Sequence, residues 1–69
     1  MNPNTGELWV CTETVDVLVG NKRATYRITG PGLVLDVHRN HDEYGDYYRV
    51  LWGHEMKDFM ENNFLERIQ

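Results

Sequence analysis

The sequence predicts an all-β fold: a small antiparallel barrel of five to seven short strands, with one tight turn or short helix near the C-terminus. Three observations predict it. Apolar and β-branched residues alternate with polar ones along Thr14–Thr29, the period-two signature of half-buried strands. The stretch Gly32–Gly53, GLVLDVHRNHDEYGDYYRVLWG, reads as two strands joined by a polar loop. Turn formers at Gly20-Asn21, at Gly30-Pro31-Gly32 and at Asn62-Asn63 break the chain into short, evenly spaced runs, the spacing of a small barrel or sandwich.

At 69 residues the chain is expected to be one domain or part of one. A chain of this size buries only about 60% of the surface its unfolded form exposes, so its core is small. No disulfide staples it, because Cys11 is the single cysteine. A lone thiol fits a reducing compartment. Residues 1–7, MNPNTGE, lack the basic and apolar regions of a signal peptide. No apolar run approaches the ~20 residues of a membrane helix, which predicts no membrane partner. Eleven acidic residues against seven Lys and Arg leave a net charge of −4. That balance opposes non-specific duplex binding, whose affinity comes from cations neutralising phosphates.

Taken in order, residues 1–6 form an arm of turn formers, and residues 7–69 form the barrel domain. Leu8–Glu13 is a first strand, with Trp9 and Cys11 on one face and Leu8 and Val10 on the other. Thr14–Val19 places Val15, Val17 and Val19 on one face. Gly20-Asn21 suits a two-residue hairpin loop, because both residues tolerate positive φ. Arg23–Thr29 returns with Ala24, Tyr26 and Ile28 on one face. The other face of this hairpin is polar, as in a sheet wetted on one side, with Leu18 the outward-pointing exception. Gly30-Pro31-Gly32 is expected to reverse the chain. Leu33–His38 and Tyr47–Trp52 are the central strands, rich in residues that fill a pleated surface. Glu55–Met60 is a short strand, Glu61–Phe64 a tight turn and Leu65–Ile68 a closing strand. A helix over 54–63 is the alternative, since Met56, Phe59 and Met60 also keep helical spacing.

The pattern Gly-Leu-Val-Leu-Asp-Val, a polar loop, Tyr-Tyr-Arg-Val-Leu-Trp-Gly and a terminal Phe-Leu-Glu-Arg-Ile resembles SH3-like barrels of the KOW/Tudor kind. More narrowly, it resembles short barrel proteins of tailed bacteriophages. Gly32, Val34, Val37, Tyr48, Val50, Trp52, Leu65 and Ile68 carry the likeness, over about half the chain. The resemblance implies a non-enzymatic accessory protein in the cytoplasm of a bacterial host or in a phage virion. Two departures stand out. The loop Asn40–Asp46 is acidic on balance, where nucleic-acid-binding barrels carry basic residues, and the hairpin over residues 14–29 is longer than a minimal barrel needs.

The residues offer little chemistry for catalysis. There is no serine, and Cys11 lies in a strand, where a thiol is ordinarily an inert core residue. Asp42, Glu43 and Asp46 share one loop, where water stabilises all three charges. His38, His41 and His54 lie near Asp42, Glu43 and Glu55, but no zinc-site spacing is present. We therefore expect no enzyme, no cofactor and no metal. Tyr48 and Trp52 share a face with Val50, so core packing accounts for them before an aromatic cage does.

The expected function is contact with another protein or with copies of the chain itself, through Trp9, Leu18, Tyr44 and Tyr47. Aromatic residues are enriched in the cores of such interfaces. The rival is nucleic-acid binding through Lys22, Arg23, Arg27 and Arg49, which predicts an affinity falling steeply with salt. A third reading is an inhibitor that mimics nucleic acid with its acidic loop.

Overall fold

A computed structural model of the chain describes residues 2–41 and 45–69, with the side chains of Asn40 and His41 left out. Among these residues five strands form one antiparallel sheet: β1 (Leu8–Val19), β2 (Lys22–His41), β3 (Gly45–Trp52), β4 (Glu55–Phe59) and β5 (Phe64–Arg67). A 3-10 turn occupies Glu61–Asn63 between β4 and β5. The strand order is β4-β3-β2-β1-β5, so the sheet is open, with β4 and β5 as its edges.

The chain crosses from one edge to the other in four residues, Met60–Asn63. The edges of a flat five-stranded sheet would lie about 19 Å apart, too far for a connection wound into a 3-10 turn. The sheet must therefore curl, and the ring centroids of Phe59 and Phe64, from the two edge strands, approach to 6.1 Å. The concave face holds the core: Trp9, Cys11, Val34, Tyr48, Val50, Phe59 and Phe64, with Val37 and Trp52 packed against it. Phe64 is its hub, meeting Trp9 at 5.7 Å and Tyr48 at 5.0 Å, both edge-on. Such geometry adds roughly 0.5–1.5 kcal/mol per pair beyond area burial.

Asn63 sets Phe64 in place. Its side-chain carbonyl accepts the Met60 N–H at 2.9 Å, and its amide group donates to the Thr12 carbonyl at 2.8 Å. The turn is thereby tied to β1 beside Cys11, the residue that pairs with Phe64.

Gly30-Pro31-Gly32 does not reverse the chain, contrary to the expectation from its composition. It lies inside β2, paired with Cys11, Val10 and Trp9. Pro31 stands one residue ahead of Gly32, where pairing with β3 begins. Its missing N–H therefore costs no ladder bond on that side. Gly32 is required for a different reason. A Cβ there would lie 2.7 Å from Val50 Cγ1 and 2.9 Å from Cys11 Sγ, so only a bare backbone lets β2 pass this close over the core.

Residues 2–6 lie on the sheet. Pro3 is fully buried. The Gly6 N–H donates to the Val34 carbonyl, and the Val34 N–H donates to the Glu7 carbonyl. Glu7 is held below the usual carboxylate range, first by the Asn4 backbone N–H, then by the Trp9 indole and the Arg67 guanidinium.

Cys11 is fully buried, and desolvation pushes its thiol up to about 11 from 9.0. The folded chain therefore holds a proton that the unfolded chain releases between those values. The contribution of this thiol to stability is complete below pH 9 and falls as pH rises towards 11, by about 1–3 kcal/mol. Urea unfolding midpoints across this range should fall more steeply for the parent than for Cys11→Ala. Parallel pH profiles would show that the thiol contributes nothing.

Candidate protein-contact surface

The most unusual feature is the distal half of the β1–β2 hairpin. Beyond Thr12, β1 loses the neighbour that β5 provides at Trp9–Cys11, and β2 meets β3 only from Gly32 onward. Residues 13–29 thus form a two-stranded ribbon with both edges open. Two strands alone are marginally stable in water. The ribbon stretches the molecule to 41 × 29 × 21 Å, with a radius of gyration of 13.4 Å, where about 11 Å is usual for this length.

Its turn is the one the sequence predicts. Val19 pairs with Lys22 across Gly20-Asn21, and Gly20 sits at φ 63°, where glycine suffers no Cβ clash. Directly paired residues share a face of the ribbon. The pairs Val15–Tyr26 and Val17–Ala24 place a valine stripe beside an alanine and a tyrosine. Glu13–Ile28 lies at the base of the same face and Val19–Lys22 at the tip.

This face does not reach the core, contrary to the expectation that only the polar face would be wetted. Val17, Val19, Tyr26 and Ile28 are all exposed, Val19 to 62% and Tyr26 to 53%. The reason is geometric. The curled sheet closes over the first few residues of β1, and among the described residues no element extends far enough to cover the rest.

At the base of the apolar face lies an open groove of about 520 Å³. Its walls include Val15, Ile28 and Pro31 on the ribbon side, and Trp52, Glu55 and Lys57 on the other. The Trp52 indole N–H donates to the Gly30 carbonyl at 3.1 Å, which fixes the ring. Lys57 lies 5.4 Å from the ring centre, donates to Glu13 at 2.6 Å, and sits 3.7 Å from Glu55. The bond to Glu13 holds its ammonium above the ordinary lysine range. Two carboxylates therefore face one cation, and the groove carries a net negative charge. A second depression is lined by Asp46, Met60, Glu61 and Asn62.

The expected contact residues are scattered. Trp9 is 4% exposed and belongs to the core, so it presents no face to a partner. Leu18 is 72% exposed, on the ribbon face opposite the valines. Tyr47 is half-buried and stacks on His38 at 4.5 Å, outside the ribbon. Tyr44, with Asp42 and Glu43, lies outside the described residues.

The four cations of the nucleic-acid reading do not converge. Lys22 projects from the apolar face, Arg23 and Arg27 from the opposite face. Arg49 is on β3, 3.4 Å from Asp58. His54 lines the groove, while His38 approaches Asp36 at 3.2 Å. No group of three or more metal-ligating side chains gathers among the described residues, and none of their helices is long and apolar enough to cross a membrane. What sequence reading missed is Val17, Val19, Tyr26 and Ile28 as an exposed set. Their alternation signals a buried face, and only the hairpin's excess length pointed the other way.

Comparison with known proteins returned no match: no family model, no curated protein and no solved structure.

Proposed function

We propose that the chain is a non-enzymatic protein-interaction module built on an SH3-like barrel, an accessory protein of the tailed-phage kind that binds a virion or host protein. The strand order β4-β3-β2-β1-β5 supports the barrel reading, as do the long β2 serving both halves and the 3-10 turn before β5. The observation that carries the functional reading is the exposed apolar face of the ribbon. Isolated exposed aliphatics are ordinary. A continuous stripe on a ribbon with two open edges is a surface that gains from being covered.

Capture from its native source tests this. The wild-type chain, immobilised, is expected to recover a discrete protein, and Val19→Asp is expected to lose it. Val19 is exposed at the tip, so the substitution leaves the core alone. Equal recovery by both chains would remove the ribbon face as the contact.

A further inference from the structure

We propose that two copies of this chain clasp one another, the tip of each ribbon seating in the groove at the base of the other. This rests on the ribbon being a contact surface and names its occupant. Three independent features select a second copy.

The first is charge. The groove sets Glu13 and Glu55 against one lysine, Lys57, with His54 also in its wall. The tip carries Lys22 on the same apolar face, and Lys22 makes no ion pair among the described residues. Seating Lys22 of one copy beside Glu13 and Glu55 of the other gives two anions and two cations.

The second is shape. Glu13 and Val19 are six residues apart, about 20 Å along a strand. When two such ribbons lie face to face and antiparallel, each tip falls at the other's base. The midpoint lies between the pairs Val15–Tyr26 and Val17–Ala24. The two-fold axis therefore sets Tyr26 of one copy over Ala24 of the other, large against small, twice over. Facing sheets interdigitate about 10 Å apart in this way.

The third is clearance. The curled bodies end up at opposite ends of the paired ribbons. Side-by-side pairing of ribbons pointing the same way would drive the bodies together. Edge pairing of β2 with its own copy would bring Arg23 and Arg27 near their equivalents, which like charges disfavour. A two-fold clasp is also isologous and closes at two copies, with no filament.

The ribbon faces are small, which places the association at the weak end of specific interfaces. Sedimentation of the full chain from micromolar to near-millimolar concentration tests the clasp. The expected result is a monomer–dimer equilibrium with no larger species. Lys22→Glu and Glu55→Lys each weaken the dimer by about ten-fold, as a reversed exposed ion pair should. Both substitutions in one chain restore it, because the swapped charges meet again across the axis. Both side chains are at the surface, so circular dichroism should report unchanged folds.

A monomer at every concentration overturns the clasp, as do a dimer indifferent to both single variants and growth beyond two copies. If the chain stays monomeric while Val19→Asp still abolishes recovery of a different protein, the clasp fails and the contact reading stands. If Val19→Asp changes neither measurement, both fail.

Discussion

Phe64→Ala is expected to unfold the chain at room temperature. The substitution removes the ring that Trp9, Tyr48 and Phe59 all meet edge-on. Losing a buried phenylalanine costs about 3–5 kcal/mol in transfer and cavity terms together. A domain of 69 residues holds only about 3–10 kcal/mol in total. The cavity would also open where β4 and β5 approach, the place where the curl depends on side chains rather than on a ladder. Far-UV dichroism and urea unfolding check it, with Leu65→Ala as the control. Leu65 is the next residue and is exposed, so its loss should move stability by about 0.5 kcal/mol or less. A cooperative Phe64→Ala transition close to the parent's would show that the core does not hinge on this ring.

The second large effect comes from adding atoms. Gly32→Ala is expected to destabilise by about 1–3 kcal/mol, the usual range for overpacking a filled core. The new methyl would fall within 3 Å of both Val50 Cγ1 and Cys11 Sγ. Both neighbours are fully buried and have nowhere to retreat. Gly30→Ala provides the contrast, because its Cβ would meet only Trp52 Nε1, at an ordinary 3.6 Å. Cys11→Ala removes one of the two obstructions at Gly32. The double variant Cys11→Ala/Gly32→Ala should therefore be more stable than the sum of its parts, as expected of residues that share one space. Equal costs at Gly30 and Gly32, or strict additivity with Cys11, would contradict the close approach.

The ribbon connects these energetics to function. The core takes in Trp9 and Cys11 and leaves Val17 and Val19 in water, although they share a strand face with them. The stabilisation that the distal valines and Tyr26 would gain from burial is thus available only to a partner. Association with the proposed partner would then stabilise the fold by mass action.

Much of the architecture was legible in the residues themselves. Alternation located the hairpin and its Gly20-Asn21 turn, and it located the central pair, in which Val34 faces Val50 and Val37 faces Tyr48. These are local matters, set by side-chain period and turn chemistry. The placement of Gly30-Pro31-Gly32 was not legible. A tripeptide that commonly turns a chain can also run straight where its neighbours need bare backbone, and that need arises from Cys11 and Val50, distant in sequence. The candidate contact surface was only half legible. The hairpin's excess length pointed to it, whereas Leu18 lies on the opposite face of the ribbon and Trp9 is in the core.

By itself the amino-acid sequence determined an all-β chain, the position of its first hairpin, the pairing of its central strands and the packing role of Tyr48 and Trp52, because each follows from period, propensity and turn residues read over short windows. Only the tertiary structure decided where the curl of the sheet stops. That limit depends on how far Phe59 and Phe64 draw the two edge strands together, and it alone separates the valines that are covered from the valines that are not.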